Sequence, residues 1–255
     1  MPRIGGRKLL YMLQKDGVNI GRDKLFDILQ HENMLVKRRK RKVFTTQSKH
    51  WLKKYPNLIE SMIVTKPKKL WVADITYIVI GNGFAYLFLI TDAYSRKIVG
   101  HYLSHTLEAD GGIEALKMAL SEVPWQERNG IIHHSDRGVQ YCSHNYVNLL
   151  LASKMLISMT QNGDPYENAI AERINGILKS EWIHGERFSD FNQASIRIAE
   201  IINIYNSTRP HMSCDLLTPN EAHLQTGILK KHWKSYYNKS QKKEEVNEKF
   251  ESVNV

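Results

Sequence analysis

Three carboxylates stand where simple packing would not put them. Asp136 follows the apolar run in "IIHHSDRGVQYCS" (131–143), Asp74 interrupts "LWVADITYIVI" (70–80), and Glu172 sits in "NAIAERINGILKSEW" (168–182). Two carboxylates about 4 Å apart repel by roughly 4 kcal/mol at a surface-like dielectric. A divalent cation reverses the sign of that term. All-oxygen donors favour Mg²⁺ or Mn²⁺ over zinc. Two such ions, each on one oxygen of an in-line displacement, would make a site that cuts or joins phosphodiesters.

Each carboxylate also has an ordinary reading. Asp74 shares a strand face with Val72, Thr76 and Ile78 at period 2. Aspartate is disfavoured in strands, so an edge position or a lysine partner would be the simple explanation. Asp136 could be a turn residue before Gly138; equally, it would lie at the carboxyl end of a strand, where α/β sheets place their sites. Glu172 is better constrained. At 100° per residue, Asn175, Gly176 and Lys179 fall within about 60° of it, while Ile170, Ile174, Ile177 and Leu178 fall opposite. One face buries isoleucines; the other shows a carboxylate, an amide, a glycine and a lysine.

The surrounding elements follow from periodicity. "LWVADITYIVI", "FAYLFLITD" and "KIVGHYLS" read as three strands, the first two joined by a "GNG" hairpin turn at 81–83. "LEADGGIEALKMALSEV" reads as a helix, "GIIHH" as a short buried strand, "HNYVNLLLASKM" as a helix and "LISMT" as a strand. Helices are expected at about 168–182 and 190–206. Antiparallel strands followed by alternating helix and strand predict an α/β sheet of mixed direction. Upstream, "RKLLYMLQ" and "RDKLFDILQHENML" flank a glycine-containing break, which predicts a helix-turn-helix, with Leu25, Ile28 and Leu29 on one face of the second helix.

The chain has 255 residues and a net charge of +10. That charge is unevenly spread. Residues 1–70 hold 18 cations against 5 acids (+13), residues 71–225 hold 11 against 17 (−6), and residues 226–255 hold 7 against 4 (+3). A basic head on an acidic middle suits a polyanion gripped by one part and handled by another. Lys37, Arg38, Arg39, Lys40, Arg41 and Lys42 form an unbroken cationic run after the second helix and are expected to track phosphates. Cys142 and Cys214 make neither a CxxC pair nor a disulfide framework, which points to a reducing cytosol. No apolar run reaches membrane-spanning length, and no signal peptide follows Met1.

The joint spacing carries a resemblance. Asp136 and Glu172 have 35 residues between them, Asp74 precedes both, and Lys179 lies seven after Glu172. With "LITDAYSRKIVGHYLS", "ISMTQNGDPYENAIAERINGILKSEW" and "YNSTRPHMSCDLLTPNEA", this resembles the D,D(35)E integrase core of the retroviral-integrase superfamily. More narrowly, it is similar to the second-reading-frame transposases of the IS-three insertion-sequence family over roughly residues 5–225. The resemblance implies a ribonuclease-H-like fold and a DDE site of Asp74, Asp136 and Glu172 holding two Mg²⁺, with Mn²⁺ able to substitute. It further implies Lys179 on a phosphate near the cut, transposon-end and target DNA as partners, and a homo-oligomer on DNA in the bacterial cytoplasm. The upstream-frame protein of the same element is a further expected partner. The expected division is a helix-turn-helix region at 1–42, a linker at 43–65, the core at 66–225 and a basic, partly disordered tail at 226–255.

Some residues are weighed against the triad. Glu167 also follows Asp136 and is read as a helix-start residue; Asp92 is read as structural; His134 is read as a satisfied core residue. A retroviral-type integrase would add a zinc module that two scattered cysteines cannot build. A DNA-binding regulator would leave the carboxylate spacing to chance. A non-autonomous fragment is the other alternative, because Met1 begins within the helix-turn-helix region whereas family members usually carry more sequence upstream.

Overall fold

The computed structural model describes residues 3–36, 50–81, 83–161 and 168–233. The β-branched and aromatic run Leu70–Ile80 forms strand β1, the middle strand of a five-stranded sheet. Strands β2 (Gly83–Asp92) and β3 (Ile98–Ser104) continue it in antiparallel pairing on one side. The short strands β4 (Ile132–Ser135) and β5 (Leu156–Met159) run parallel to it on the other, giving the order β3-β2-β1-β4-β5. The mixed direction is the one expected. Ile80 lies opposite Gly83 and closes the first hairpin, with Gly81 at φ +52°.

Both faces of the sheet are covered, which explains the near-continuous apolar strands. Along β2, Phe88 and Ile90 join one core while Leu87 and Leu89 join the other. The first core is completed by helices α3 (Ala109–Ser121) and α5 (His144–Ala152), through Leu116, Tyr146 and Leu150. The four-residue helix α4 (Val139–Cys142) leads into α5. The second core is completed by α6 (Ala169–Glu181) and α7 (Phe191–Thr208), through Ile174, Ile177 and Ile201, with Trp182 just past the α6 end. Gly100 permits the tight seat of α3 on β3: an added Cβ would stand 2.1 Å from the Ala115 carbonyl oxygen.

The residues of "YNSTRPH" are structural clamps. Tyr205 Oη donates to the Arg96 carbonyl at 2.8 Å and pairs with His211 Nε2 at 2.9 Å. Asn206 makes two bonds to the Ile98 backbone, at 3.0 and 2.9 Å. Thr218 and Glu221 form a capping box on the last helix, α8 (Pro219–Ala222).

Two helices, α1 (Gly6–Lys15) and α2 (Arg22–His31), precede the sheet as expected. Leu25 and Leu29 are buried, but Ile28 is 43% exposed, so the expected apolar face is narrower than its spacing suggested. Lys8 on α1 reaches Glu181 at the end of α6 at 2.6 Å, and Glu181 also accepts two bonds from Arg209 at 2.7 Å. The stretch from 50 to 65 has no helix or strand, yet it is strapped to the sheet edge. Met159 N–H donates to the Pro56 carbonyl and Leu58 N–H to Ser158 Oγ. Gly227 N–H donates to Thr65 and His232 N–H to Met212, so the start of the tail is also packed. The rest of the tail lies outside the described residues, as does the cationic run 37–42.

Candidate active site

Register brings the first two carboxylates level. In the parallel pairing of β1 with β4, Val72 lies opposite His134. Asp74 and Asp136 are each two residues further along. Asp74 is therefore on the middle strand, not an edge, and its partners are amides. Asn175 Nδ2 donates to Asp74 Oδ2 at 2.7 Å and Ile75 N–H donates to Oδ1 at 2.9 Å. Asp136 makes the turn as well as facing the site: its Oδ1 accepts from Gly138 N–H at 2.9 Å.

The carboxyl of Asp74 is pushed up to about 7. Burial is the largest cause, followed by the negative charge of Asp136, with Glu172 adding to it; the Asn175 and Ile75 donors act against the rise. The negative charges of Asp136 and Glu172 thus both resist the ionisation of Asp74.

Glu172 stands exposed in the first turn of α6. The helix is clamped to β1 on both sides of it. Asn168, the N-cap residue, donates from Nδ2 to the Ala73 carbonyl at 3.1 Å, and Asn175 holds Asp74. Residues 168, 172, 175 and 179 recur at i, i+4, i+7 and i+11, a single stripe of the helix. Lys179 ends that stripe, half-buried; burial lowers its pKa while the charge of Asp74 works to raise it. Gly176 is not demanded by packing, since an added Cβ would meet nothing within 4 Å.

Among the described residues no three His, Cys, Asp or Glu side chains are already gathered as a metal-ligand set. The charge of Asp136, and less strongly that of Glu172, reaches the Asp74 carboxyl. The donor chemistry still suits a hard divalent cation. The site offers carboxylate oxygens whose mutual repulsion a cation would relieve. The buried Oδ1 atoms of Asn168 and Asn175 also have no hydrogen-bond partner among the described residues.

The competing residues separate cleanly. Asp92 is fully buried and accepts from Tyr94 N–H, Ser95 N–H, Ser95 Oγ and Lys68 N–H, a structural role as read. His134 is buried, with Nδ1 at 2.8 Å from Ser158 Oγ. Glu167 lies outside the described residues. Asn168 escaped the sequence reading altogether. An asparagine before a helix reads as a cap for that helix, but here its amide serves a strand 95 residues away. Cys142 and Cys214 are free and buried. No helix among the described residues is long and apolar enough to cross a membrane.

The integrase core domain family matches residues 64–165, and a second integrase core domain family matches residues 153–219. The 31 kDa protein of insertion element IS600 from Shigella sonnei is 35% identical over 218 residues, covering 84% of this chain and 79% of that protein. The transposase of insertion sequence element IS629 from the same organism is 33% identical, covering 80% and 68% respectively. Among solved structures, the HTLV-2 integrase catalytic core domain in complex with magnesium shares the fold. It has a TM-score of 0.50 at 16% identity, covering 63% of this chain and 99% of that one. Its sheet and flanking helices are those of a ribonuclease-H-like core. With two curated relatives matched along most of their length and the integrase core spanning the carboxylate-bearing elements, the chain belongs to the insertion-sequence transposases of the IS3 type, enzymes built on a DDE integrase core.

Proposed function

We propose that Asp74, Asp136 and Glu172 are the metal-holding carboxylates of this transposase, and that the chain cuts a transposon-end strand and joins its 3′-hydroxyl to target DNA. One observation supports this most. Parallel register sets Asp74, inside β1, level with Asp136, just past the end of β4, while Asn175 draws the Glu172 helix onto Asp74. When bound, two Mg²⁺ ions, or Mn²⁺ in their place, supply Lewis acidity to the attacking and the leaving oxygen. The magnesium of the HTLV-2 core supports that choice of ion.

The chain's own residues do the rest. Asp74 and Asp136 present paired oxygens from a rigid sheet, and Glu172 closes the set from the helix. Asn175 fixes the Asp74 carboxylate by donating to one of its oxygens. Lys179, on the same stripe, places a positive charge on a phosphate flanking the scissile bond. The arginine- and lysine-rich segment 37–42, with α1 and α2, grips duplex DNA. We further infer a homo-oligomer on paired ends, with the upstream-frame product as an additional partner.

The test is a strand-cleavage and strand-transfer assay with candidate element ends, with and without Mg²⁺ or Mn²⁺, comparing wild type with Glu172→Gln. Cation-dependent joining that is lost in the variant is the expected result. Equal activity of the two proteins would end the assignment of Glu172, and DNA binding without any strand chemistry would leave a regulator.

A further inference from the structure

Trp51 is 86% exposed, the most exposed of the large apolar side chains described. It does not hang from a loose loop. His50 Nε2 donates to the Arg137 carbonyl at 2.8 Å, one residue beyond Asp136. Leu52 and Tyr55 pack against the first core, and the Pro56 carbonyl accepts from Met159 N–H. Those inward anchors leave Trp51, Lys53 and Lys54 facing solvent. The indole lies with its centroid 6.3 Å from that of exposed His144. Lys54 and Arg137 both act on the Cys142 thiol, which also feels Asp136, so these charges share a neighbourhood with the carboxylate site. From 37 to 54 the sequence carries nine lysines and arginines and no acid.

An anchored, exposed indole flanked by cations is chemically matched to one ligand above others. Base stacking on an aromatic face is sequence-tolerant, and lysines beside it follow the backbone. A base inside a duplex hides both faces in its own stack, so the ring selects an unpaired one. We propose that Trp51 is a stacking platform for an unpaired DNA base, with Lys53, Lys54 and Arg137 holding the phosphates of that strand next to Asp136. The inference rests on the strand-cutting reading only for where the strand is led; the platform itself is tested by binding alone.

The experiment uses the full chain without divalent cation and two fluorescent probes: a blunt duplex, and the same duplex with a six-nucleotide single-stranded extension. Trp51→Ala is expected to bind the extended probe about tenfold more weakly, to bind the blunt probe as wild type does, and to melt unchanged. Trp51→Phe should keep most of the preference, because a smaller ring still stacks. Lys53→Glu with Lys54→Glu should weaken the extended probe more than the blunt one and make the log–log salt slope for the extended probe shallower by about 1.4. Trp51→Ala binding both probes like wild type would overturn the platform, and so would an equal loss on both. Unchanged DNA binding with a halved sedimenting mass would instead assign the ring to a second copy of the chain. Cleavage results bear on the carboxylates and leave these outcomes untouched.

Discussion

Asn175 Nδ2 stands 2.7 Å from Asp74 Oδ2, and this bond joins the helix of the third carboxylate to the strand of the first. A hydrogen bond to a charged group contributes about 1.5–3 kcal/mol, here divided between holding the helix and orienting the carboxylate. Asn175→Ala is expected to lower strand joining by about 10- to 100-fold with a smaller loss of thermal stability. Asn175→Asp, which sets a third negative charge against Asp74, should be worse for joining at limiting cation concentration. Unchanged joining kinetics in both variants would show that the amide only packs.

Asp74 links activity and stability with opposite signs. Its folded-state pKa, about 7, lies above that of an unfolded aspartate, near 3.9. Between those values the folded chain holds more protons than the unfolded one. Stability contributed by this group is therefore full below about pH 4 and declines as pH rises towards 7, by at most about 4 kcal/mol. Asp74→Asn removes the penalty. The variant should melt higher than wild type at pH 8 and equally at pH 4, while losing cleavage. Urea titrations across pH check this; a variant less stable at pH 8 would contradict it.

Metal addition should act the other way. Mg²⁺ or Mn²⁺ bound to the folded state raises stability by mass action. Wild type is expected to gain melting temperature with cation, whereas Asp136→Asn and Glu172→Gln gain less and neither cuts nor joins DNA. Calorimetry with Ca²⁺ or Mn²⁺ gives a readout free of turnover. Identical cation titrations for wild type and Asp136→Asn would remove Asp136 from the ligand set.

The carboxylates of the candidate site could be singled out from sequence because their signals are local. Aspartate in a β-branched run, aspartate at a strand end and a polar stripe on a helix each violate a packing expectation on their own segment. The fold was legible for the same reason: Leu87 and Phe88 face opposite cores, so β2 had to read as a continuous apolar run. What stayed hidden depends on contacts distant in sequence. Nothing around Asn168 announces Ala73, and nothing in the aperiodic stretch near His50 announces Arg137. The strap is held by backbone bonds and scattered anchors, which leave no period to detect.

The ion cluster at the end of α6 should matter for the N-terminal helices. Glu181 is buried between Lys8 and Arg209, and their charges hold its carboxyl below the usual range despite burial. Removing the carboxylate leaves two cations facing each other without compensation, a loss of about 3–5 kcal/mol. Glu181→Gln is expected to lower the melting temperature clearly. Lys8→Met should cost less, because the Arg209 pair survives, but it should expose the segment after α1 to protease. Equal melting of Glu181→Gln and wild type would show the cluster to be energetically neutral.

Duplex binding by residues 1–42 should be dominated by phosphates. If the six cations from Lys37 to Lys42 each neutralise one phosphate, affinity falls on the order of 10³-fold between 50 and 200 mM salt. Replacing three of them with glutamine should flatten that dependence by nearly half. Salt-independent binding would refute a phosphate-led grip and direct attention to base contacts from α2.

Lys179 offers the sharpest separation of structure from chemistry. It lies two turns beyond Glu172 on the stripe that faces Asp74, and the charge of Asp74 is felt at its ammonium. An exposed lysine that merely solvates the helix would tolerate substitution within about 0.5 kcal/mol. This one is half-buried, so Lys179→Met keeps the aliphatic stem packed while removing the charge. Joining of element ends should drop by about an order of magnitude in Lys179→Met, the scale of one lost charge contact to a phosphate, with little change in melting. Lys179→Glu should be worse for joining, because it sets a carboxylate against the phosphate and against Asp74 together. Higher Mn²⁺ should not rescue it, since the lost contact is to DNA and not to the ion. If Lys179→Glu joins ends at the wild-type rate and melts at the wild-type temperature, the polar stripe of α6 does not face the DNA. Glu172 would then be supported only by its spacing from Asp136.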